Sequence, residues 1–195
     1  MLRGLAVVVS LAAEAVAGAE PARSGQFTGE PFASEPFAFE VFTRQQGAPE
    51  NSFYSLATDR HGRLALGMIN GAGLFNGTSF RRLDGGDGTP HGATVYSIAT
   101  DPSDRVWVGT PKGLFVGGPA GWRAVTQRDG LPNPGVNHVR YVRGAGGERD
   151  AVYVATQGGV AILDADSLQR RGTIDVRDGL PGDNVYVTLE IAAGP

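Results

Sequence analysis

The chain has 195 residues, enough for a domain with a substantial core, and 41% of them are hydrophobic, which excludes wholesale disorder. Its formal net charge of −3 offers no basic face to nucleic acid, and the absence of cysteine excludes disulfides and thiolate metal sites. The 30 glycines and 12 prolines indicate many tight turns between short elements.

The N-terminal residues have the pattern of an export signal. Arg3 supplies a positive charge, residues 5–13 form an apolar run, and residues 17–19 (Ala-Gly-Ala) form a small-x-small cleavage site. We therefore predict a signal peptide over residues 1–19 and a periplasmic or secreted protein. The alternative is an N-terminal helix packed on the domain. The apolar run is too short to span a bilayer and no other segment approaches that length, so we expect no membrane span.

Two short stretches precede the main body of the chain. Residues 20–36 are rich in Pro, Gly, Ser and Glu without periodicity, which is typical of a linker. Residues 37–43 alternate apolar and polar side chains and predict a β-strand, the outermost strand of an incomplete repeat. From residue 37 to residue 195 we expect a series of β repeats.

The stretch 106–132 is the unit that the rest of the chain repeats. Three predicted strands with Gly- and Pro-containing turns between them make up this unit, at residues 106–110, 113–116 and 122–127. Residues 64–83 and 152–174 follow the same plan.

The spacing of the turns that close each unit carries the fold prediction. Four Gly-x-Pro triplets close successive units, and they begin at Gly47, Gly88, Gly130 and Gly179. Their separations are 41, 42 and 49 residues. A further predicted strand follows each triplet, at residues 53–58, 95–100, 136–142 and 185–191. Four strands in a period of about 40–50 residues indicate a β-propeller blade.

We therefore predict an all-β fold, a β-propeller of four-stranded antiparallel blades with about three complete blades and two partial ones. The complete blades are expected at about residues 52–83, 94–127 and 136–176, and a partial blade at residues 185–195. An open stack of blades leaves an apolar face exposed at each end. Further blades of a longer protein, a second chain, or a ring that joins residues 185–191 to residues 37–43 would cover these faces, and we favour the first.

Aspartates begin two of the turns between the first and second strands of a blade. Asp59 occupies this place in blade one and Asp101 in blade two. A carboxylate at a turn entry accepts backbone N–H groups. We expect both residues to hold their hairpins in this way.

Blade two has a specific sequence. It carries D-x-x-x-R-V-W-V-G-T-x-x-G-L from Asp101 to Leu114, then D-G-L-P from Asp129 and two valines at 136 and 139. This pattern resembles the two-component regulator propeller repeat. The resemblance extends from residue 37 to the C-terminus. Blade one departs from the pattern with L-G-M at residues 66–68 and blade three with Y-V-A-T at residues 153–156, departures that are ordinary among repeats.

The resemblance implies a function. Repeats of this family usually form the periplasmic sensor region of hybrid histidine kinases, ahead of a β-sandwich, a membrane helix and kinase domains. It implies ligand sensing outside the cytoplasm, often of oligosaccharides, by a domain that is not itself catalytic.

Candidate ligand-binding residues lie on the face where the innermost strand of each blade starts. They are polar groups in the loops and turns of that face: Lys112, Asn137, His138 and Asn184. Such groups can hydrogen-bond a sugar-like or anionic ligand. Alternatively, they satisfy turn backbones and meet solvent, since no motif ties any two of them together.

A column of equivalent residues, Tyr54, Tyr96, Asn137 and Tyr186, lies on the first strands of successive blades. Its aromatic rings can line a channel and stack on sugars, but a tyrosine in a strand is more often packed. We therefore predict that these rings pack between blades.

Catalytic signals are sparse. The histidines His61, His91 and His138 fall in different turns without metal-ligand spacing, and neither a nucleophile elbow nor a phosphate-binding glycine loop occurs. We expect no metal, no cofactor and no enzymatic activity. Two alternatives remain: a propeller enzyme of the lyase type that uses His138, and an interaction scaffold or fragment with no independent activity.

Overall fold

The computed structural model describes residues 26–27, 37–38, 42–44, 47–83, 89–118, 120–144 and 146–188. The chain divides into two compact units, Met1–Ser52 and Phe53–Pro195. In the first unit, β1 (Gln26–Phe27) pairs antiparallel with β2 (Phe37–Ala38). The predicted signal peptide lies outside the described residues. The predicted linker is described only at β1, and the predicted strand 37–43 only at β2 and residues 42–43.

The second unit contains three four-stranded antiparallel sheets, in which sheet neighbours are also sequence neighbours. Blade one consists of β3 (Phe53–Thr58), β4 (Leu64–Met68), β5 (Gly71–Phe75) and β6 (Phe80–Arg82). Blade two consists of β7 (Ser97–Thr100), β8 (Val106–Thr110), β9 (Gly113–Gly118) and β10 (Gly121–Val125). Blade three consists of β11 (Val136–Val142), β12 (Ala151–Thr156), β13 (Gly159–Asp164) and β14 (Arg170–Ile174). The predicted all-β fold with three complete blades is confirmed.

The segments after the last strands of blades two and three differ from the sequence prediction. Strand β10 ends at Val125, and a turn of 3-10 helix, Gln127–Asp129, follows it. Residues 185–188, the described part of the fourth predicted inner strand, are in no assigned strand. Val185 nevertheless donates its N–H to the Thr156 carbonyl of blade three, with N and O 3.0 Å apart.

The second strand of each blade is buried on both sides, because successive side chains point to opposite faces of a strand. In β8, Val106 and Val108 belong to the apolar cluster between blades one and two. Trp107, between them in sequence, belongs to the cluster between blades two and three and has no exposed surface. The V-W-V run is therefore apolar at every position although it is a strand.

Glycines on the second strands allow adjacent blades to approach closely. A Cβ atom on Gly109 would lie 2.7 Å from Cγ1 of Val136 in blade three. One on Gly67 would lie 2.6 Å from Cγ1 of Val95, which leads into blade two. Real Cβ contacts are almost never this short, so the glycine in W-x-G-T is required by the neighbouring valine.

Threonine in the T-x-x-G motif closes the turn between the second and third strands. The buried hydroxyl of Thr110 donates to the Gly113 carbonyl over 2.9 Å and accepts the Lys112 N–H over 3.0 Å. Thr156 makes the same two bonds with Gly159 and Gly158 in blade three. Blade one has Met68 in this place and makes its turn without a hydroxyl.

The D-G-L-P closers form a second repeated local structure. The 3-10 turns Gln127–Asp129 and Val176–Asp178 each begin with a capping box, made by Thr126 and Asp129 in the first. Each ends at a glycine in the left-handed region, with φ of 106° at Gly130 and 101° at Gly179. These closers set the direction in which the chain enters the next blade.

The predicted aspartate turns are confirmed. Asp59 accepts the backbone N–H groups of His61 and Arg63, both over 2.9 Å. Asp101 accepts those of Ser103 and Arg105. Both carboxylates also bind the guanidinium of the arginine four residues on, with Nε and Oδ2 2.6 Å apart.

Asp101 and Arg105 also contact Trp107 within blade two, and Arg105 in addition contacts blade three. The indole Nε1 of Trp107 donates to Asp101 over 2.9 Å, and the Arg105 guanidinium lies 5.1 Å from the indole ring centre. Arg105 donates as well to the carbonyl of Ala165 over 2.7 Å. The D-x-x-x-R-x-W pattern is therefore a single hydrogen-bonded unit.

The enlarged turn of blade three, residues 143–150, is held differently. Asp150 accepts the Tyr141 hydroxyl and the Gly144 N–H, the latter over 2.8 Å. Burial and the Asp150 carboxylate together raise the pKa of Tyr141 to about 12. The aspartate thus acts from the end of the turn, whereas in blades one and two it acts from the start.

Candidate ligand-binding site

The starts of the innermost strands and the turns between second and third strands lie at the same end of each blade, because each sheet is an antiparallel meander. All four predicted ligand-binding residues belong to this end. Asn137 and His138 are in β11, Asn184 follows the last closer, and Lys112 lies in the turn between β8 and β9.

Asn137 connects blade three to the segment that follows it. Its amide Nδ2 donates to Oδ1 of Asn184 over 2.9 Å and to the carbonyl of Val185 over 3.0 Å. Asn184 in turn donates to the hydroxyl of Tyr186 over 3.0 Å. Two predicted residues and one member of the tyrosine column therefore form one polar chain.

His138 contacts the same segment from the next position of β11. Its Nδ1 lies 3.1 Å from the Thr188 hydroxyl oxygen and accepts the Thr188 backbone N–H over 3.4 Å. Nδ1 can accept this N–H only when it carries no proton. Burial, and to a lesser degree the positive charge of Arg140, lowers the pKa of His138, so the ring is neutral at neutral pH.

The contact of His138 belongs to a series that sequence analysis missed. Ser55 accepts the N–H of Ile98 over 2.9 Å, and Ser97 accepts that of Val139 over 3.0 Å. Ser55, Ser97 and His138 each directly follow a member of the tyrosine column. The repeated Tyr-Ser dipeptides were the signal in the sequence, and they place His138 where the other blades use serine.

Lys112 makes no hydrogen bond or ion pair with the other three predicted residues in the described part of the chain. Its backbone N–H donates to Thr110, and its side chain is exposed. The structure thus brings Asn137, His138 and Asn184 together and leaves Lys112 in a separate turn.

The prediction that the tyrosine column packs between blades is wrong. The exposed fractions are 55% for Tyr54, 45% for Tyr96 and 69% for Tyr186. A break in strand register explains the first: Phe53 and Ser55 pair with β4, and Tyr54 between them is extra. Asn137 is the extra residue of the same irregularity in β11. A β-bulge redirects a side chain away from the sheet, which local sequence does not reveal.

Metal binding has no support in the described residues, where no group of three His, Cys, Asp or Glu side chains is placed to hold an ion. Nor does any helix there have the length and apolar character needed to cross a bilayer.

The three sheets, their interblade glycines and their repeated turns define β-propeller blades. The model of the two component regulator propeller family matches residues 90–112, which run from the loop before blade two to the β8–β9 turn. The match falls within the part of blade two whose motif predicted this repeat, so the predicted resemblance is confirmed there. A comparison with curated proteins finds no match.

Solved structures with the same fold include two extracellular domains from B. thetaiotaomicron. One, described as from a hybrid two component system, has a TM-score of 0.63 and 19% identity over 78% of this chain and 20% of its own. The other, described as from a one component system, has a TM-score of 0.56 and 19% identity over the same shares.

A third similar structure is PorZ, described as an essential bacterial surface component of the type-IX secretion system of Porphyromonas gingivalis. Its TM-score is 0.57, with 20% identity over 81% of this chain and 25% of PorZ. This chain therefore spans a fifth to a quarter of the length of these structures. At such identities the likeness concerns the fold.

Proposed function

We propose that this chain is the ligand-binding part of a sensor propeller that acts outside the cytoplasm and is not itself catalytic. The observation that carries the proposal is the exposed tyrosine column beside the Asn137–Asn184 amide chain, at one end of the blades. The repeat type and the extracellular domains of similar fold support the sensor role. The signal peptide predicted from the sequence supports the location.

The chemistry of this end of the blades favours a saccharide. Exposed tyrosine rings offer flat apolar surfaces against which the C–H faces of a sugar pack, and their hydroxyl groups can donate hydrogen bonds to it. The amides of Asn137 and Asn184 carry donors and acceptors that match sugar hydroxyls. Such groups at one end of the blades suit a neutral, hydroxyl-rich molecule, and Lys112, in the β8–β9 turn at the same end, is suited to a carboxylate or sulfate substituent.

We also propose that a further blade covers blade three. Leu131, at the closer between blades two and three, is 3% exposed because it belongs to the cluster between them. Its counterpart Leu180, after blade three, is only half-buried, and Val187 is 61% exposed. A further blade of this chain's protein, or of a second chain, would bury both.

The test of the ligand proposal is saccharide binding by the whole chain. A saccharide array identifies a ligand, and calorimetry then compares Tyr96→Ala with Tyr96→Phe. Stacking predicts that loss of the ring weakens binding about tenfold, corresponding to ~1.4 kcal/mol, while the phenylalanine variant retains it. Ser103→Ala, at an exposed residue of the β7–β8 turn at the other end of the blade, serves as the control.

Two results would overturn the proposal. One is a folded protein that binds no saccharide on the array. The other is equal binding by the wild type and Tyr96→Ala. Formation of an unsaturated product, abolished by His138→Ala, would instead establish the lyase alternative.

A further inference from the structure

A groove of about 440 Å³ lies between blades one and two, at the end of the blades away from the tyrosine column. The turns between first and second strands form this end, and they contribute His61 from blade one and Asp104 from blade two. The last strands of the two blades contribute Arg81 and Trp122. None of the residues proposed to bind saccharide lines this groove.

One wall of the groove is apolar. Trp122 is half-buried, and its ring lies directly over Gly117, where a Cβ atom would be 2.5 Å from the ring carbons. Because Gly117 has no side chain, the indole has room to lie flat against the sheet. Leu83 adds a half-buried aliphatic surface from blade one. A flat wall of this kind accommodates a planar or cyclic apolar group.

The carboxylates of the groove are already engaged. Asp59 is bound by Arg63, with Nε and Oδ2 2.6 Å apart. Asp104 takes both nitrogens of the Arg60 fork, at 3.1 and 2.6 Å, and lies 3.0 Å from Nε2 of His61. These bonds lower the pKa of Asp104, although its partial desolvation opposes them. Neither carboxylate is available for a cation.

Arg81 is a cationic side chain of the groove that is not paired with a carboxylate. Among the described residues, the guanidinium groups of Arg63 and Arg105 are held by Asp59 and Asp101, whereas the side chain of Arg81 makes no hydrogen bond or ion pair. Its guanidinium has a planar fork of donors that matches a carboxylate. The groove is lined by three arginines (Arg63, Arg81 and Arg105) and two aspartates (Asp59 and Asp104), and a single carboxylate balances this excess of one positive charge.

We propose that this groove binds a small amphipathic anion, with its carboxylate on Arg81 and a flat apolar body against Trp122. The site is separate from the saccharide surface and uses different chemistry. It gives the protein a second ligand site. Because both blades line this site, a bound ligand would contact both and stabilise their packing.

Phenylacetate is the probe, and the readout is the change in tryptophan fluorescence. Trp107 also emits, but it is fully buried and does not line the groove, so a change on ligand contact reports on Trp122. We expect saturable binding with a dissociation constant of about 1 mM or below. The neutral isostere phenylacetamide should bind at least about tenfold more weakly, because it lacks the charge-assisted bond.

Arg81→Gln should lose about tenfold in phenylacetate affinity, whereas Arg128→Gln, an equal charge change at an exposed residue outside the groove, should not. The unfolding midpoint checks that each variant folds. Absence of saturable phenylacetate binding up to about 10 mM, or equal binding by Arg81→Gln and the wild type, would overturn the proposal. Saccharide binding should be unchanged in Arg81→Gln, so that the two proposals fail or stand separately.

Discussion

The hydroxyl of Ser97 in blade two accepts the backbone N–H of Val139 in blade three, with the two atoms 3.0 Å apart. Both residues are buried, with an exposed fraction of 3% each. Ser55 makes the same bond to Ile98 one blade earlier, and His138 makes it to Thr188 one blade later. One side chain in each blade thus joins its inner strand to the next inner strand or, after blade three, to the segment that follows it.

Replacement of Ser97 by alanine should therefore destabilise the protein. The variant leaves the buried N–H of Val139 without an acceptor, a loss of about 1–3 kcal/mol in the free energy of unfolding. Urea denaturation measures it. Ser103→Ala, an exposed serine in the next turn, should stay within about 0.5 kcal/mol of the wild type. Equal stability of the two variants would show that the interblade bond contributes nothing.

Gly109→Ala should destabilise by overpacking. The new Cβ atom would lie 2.7 Å from Val136 and 3.0 Å from Val139, so the two blades must move apart. We expect a loss of about 1–3 kcal/mol, measured by thermal or urea unfolding. The matched control is Gly172→Ala in β14, where no atom lies within 4 Å of the new Cβ. If Gly172→Ala costs as much, loss of glycine itself and not the interblade contact is responsible.

Thr110→Val tests the hydroxyl that closes the T-x-x-G turn. The substitution keeps the shape but removes the bonds to Gly113 and Lys112 in a fully buried position. The unpaired carbonyl and N–H should lower the free energy of unfolding by about 1–3 kcal/mol. Thr173→Val, a half-buried strand residue, should be within about 0.5 kcal/mol of the wild type. A Thr110→Val variant as stable as the wild type would show that the hydroxyl is not needed for the turn, as in blade one, where Met68 occupies this position.

His138 should make the stability of the protein dependent on pH. Its pKa in the folded state lies below the ordinary value of about 6.5, first because of burial and then because of Arg140. Above that value the ring is neutral in both states and the stability contribution is fully present. As the pH falls below about 6.5 the unfolded chain takes up the proton first, so the free energy of unfolding decreases until the folded-state pKa has also been passed.

The comparison is denaturant unfolding of the wild type and His138→Gln between about pH 8 and pH 5. Glutamine keeps an acceptor but does not titrate, so the variant should lose part of the decrease in stability below about pH 6.5. Parallel curves for the two proteins would show that protonation of His138 is not coupled to folding.

The blades were predictable from sequence because their signals are local. A strand such as β8 is encoded by its own run of β-branched and aromatic residues, and the turns at Thr110 and Gly130 are encoded by residues within three or four positions. The regular spacing of the closers then predicted the number of blades. Aspartate turns at Asp59 and Asp101 belong to the same class, since donor and acceptor are at most four residues apart.

The contacts between blades were not predictable, because they join residues 42 to 50 positions apart whose meeting depends on how the sheets pack. Ser97 and His138 are unremarkable in sequence until Val139 and Thr188 are placed opposite them. The exposure of Tyr54 follows from a shift in strand register, and Arg81 faces Trp122 only because two last strands flank one groove. Local hydrogen bonding and side-chain alternation thus decide the blades, whereas the sites between and around them arise only when the blades are packed together.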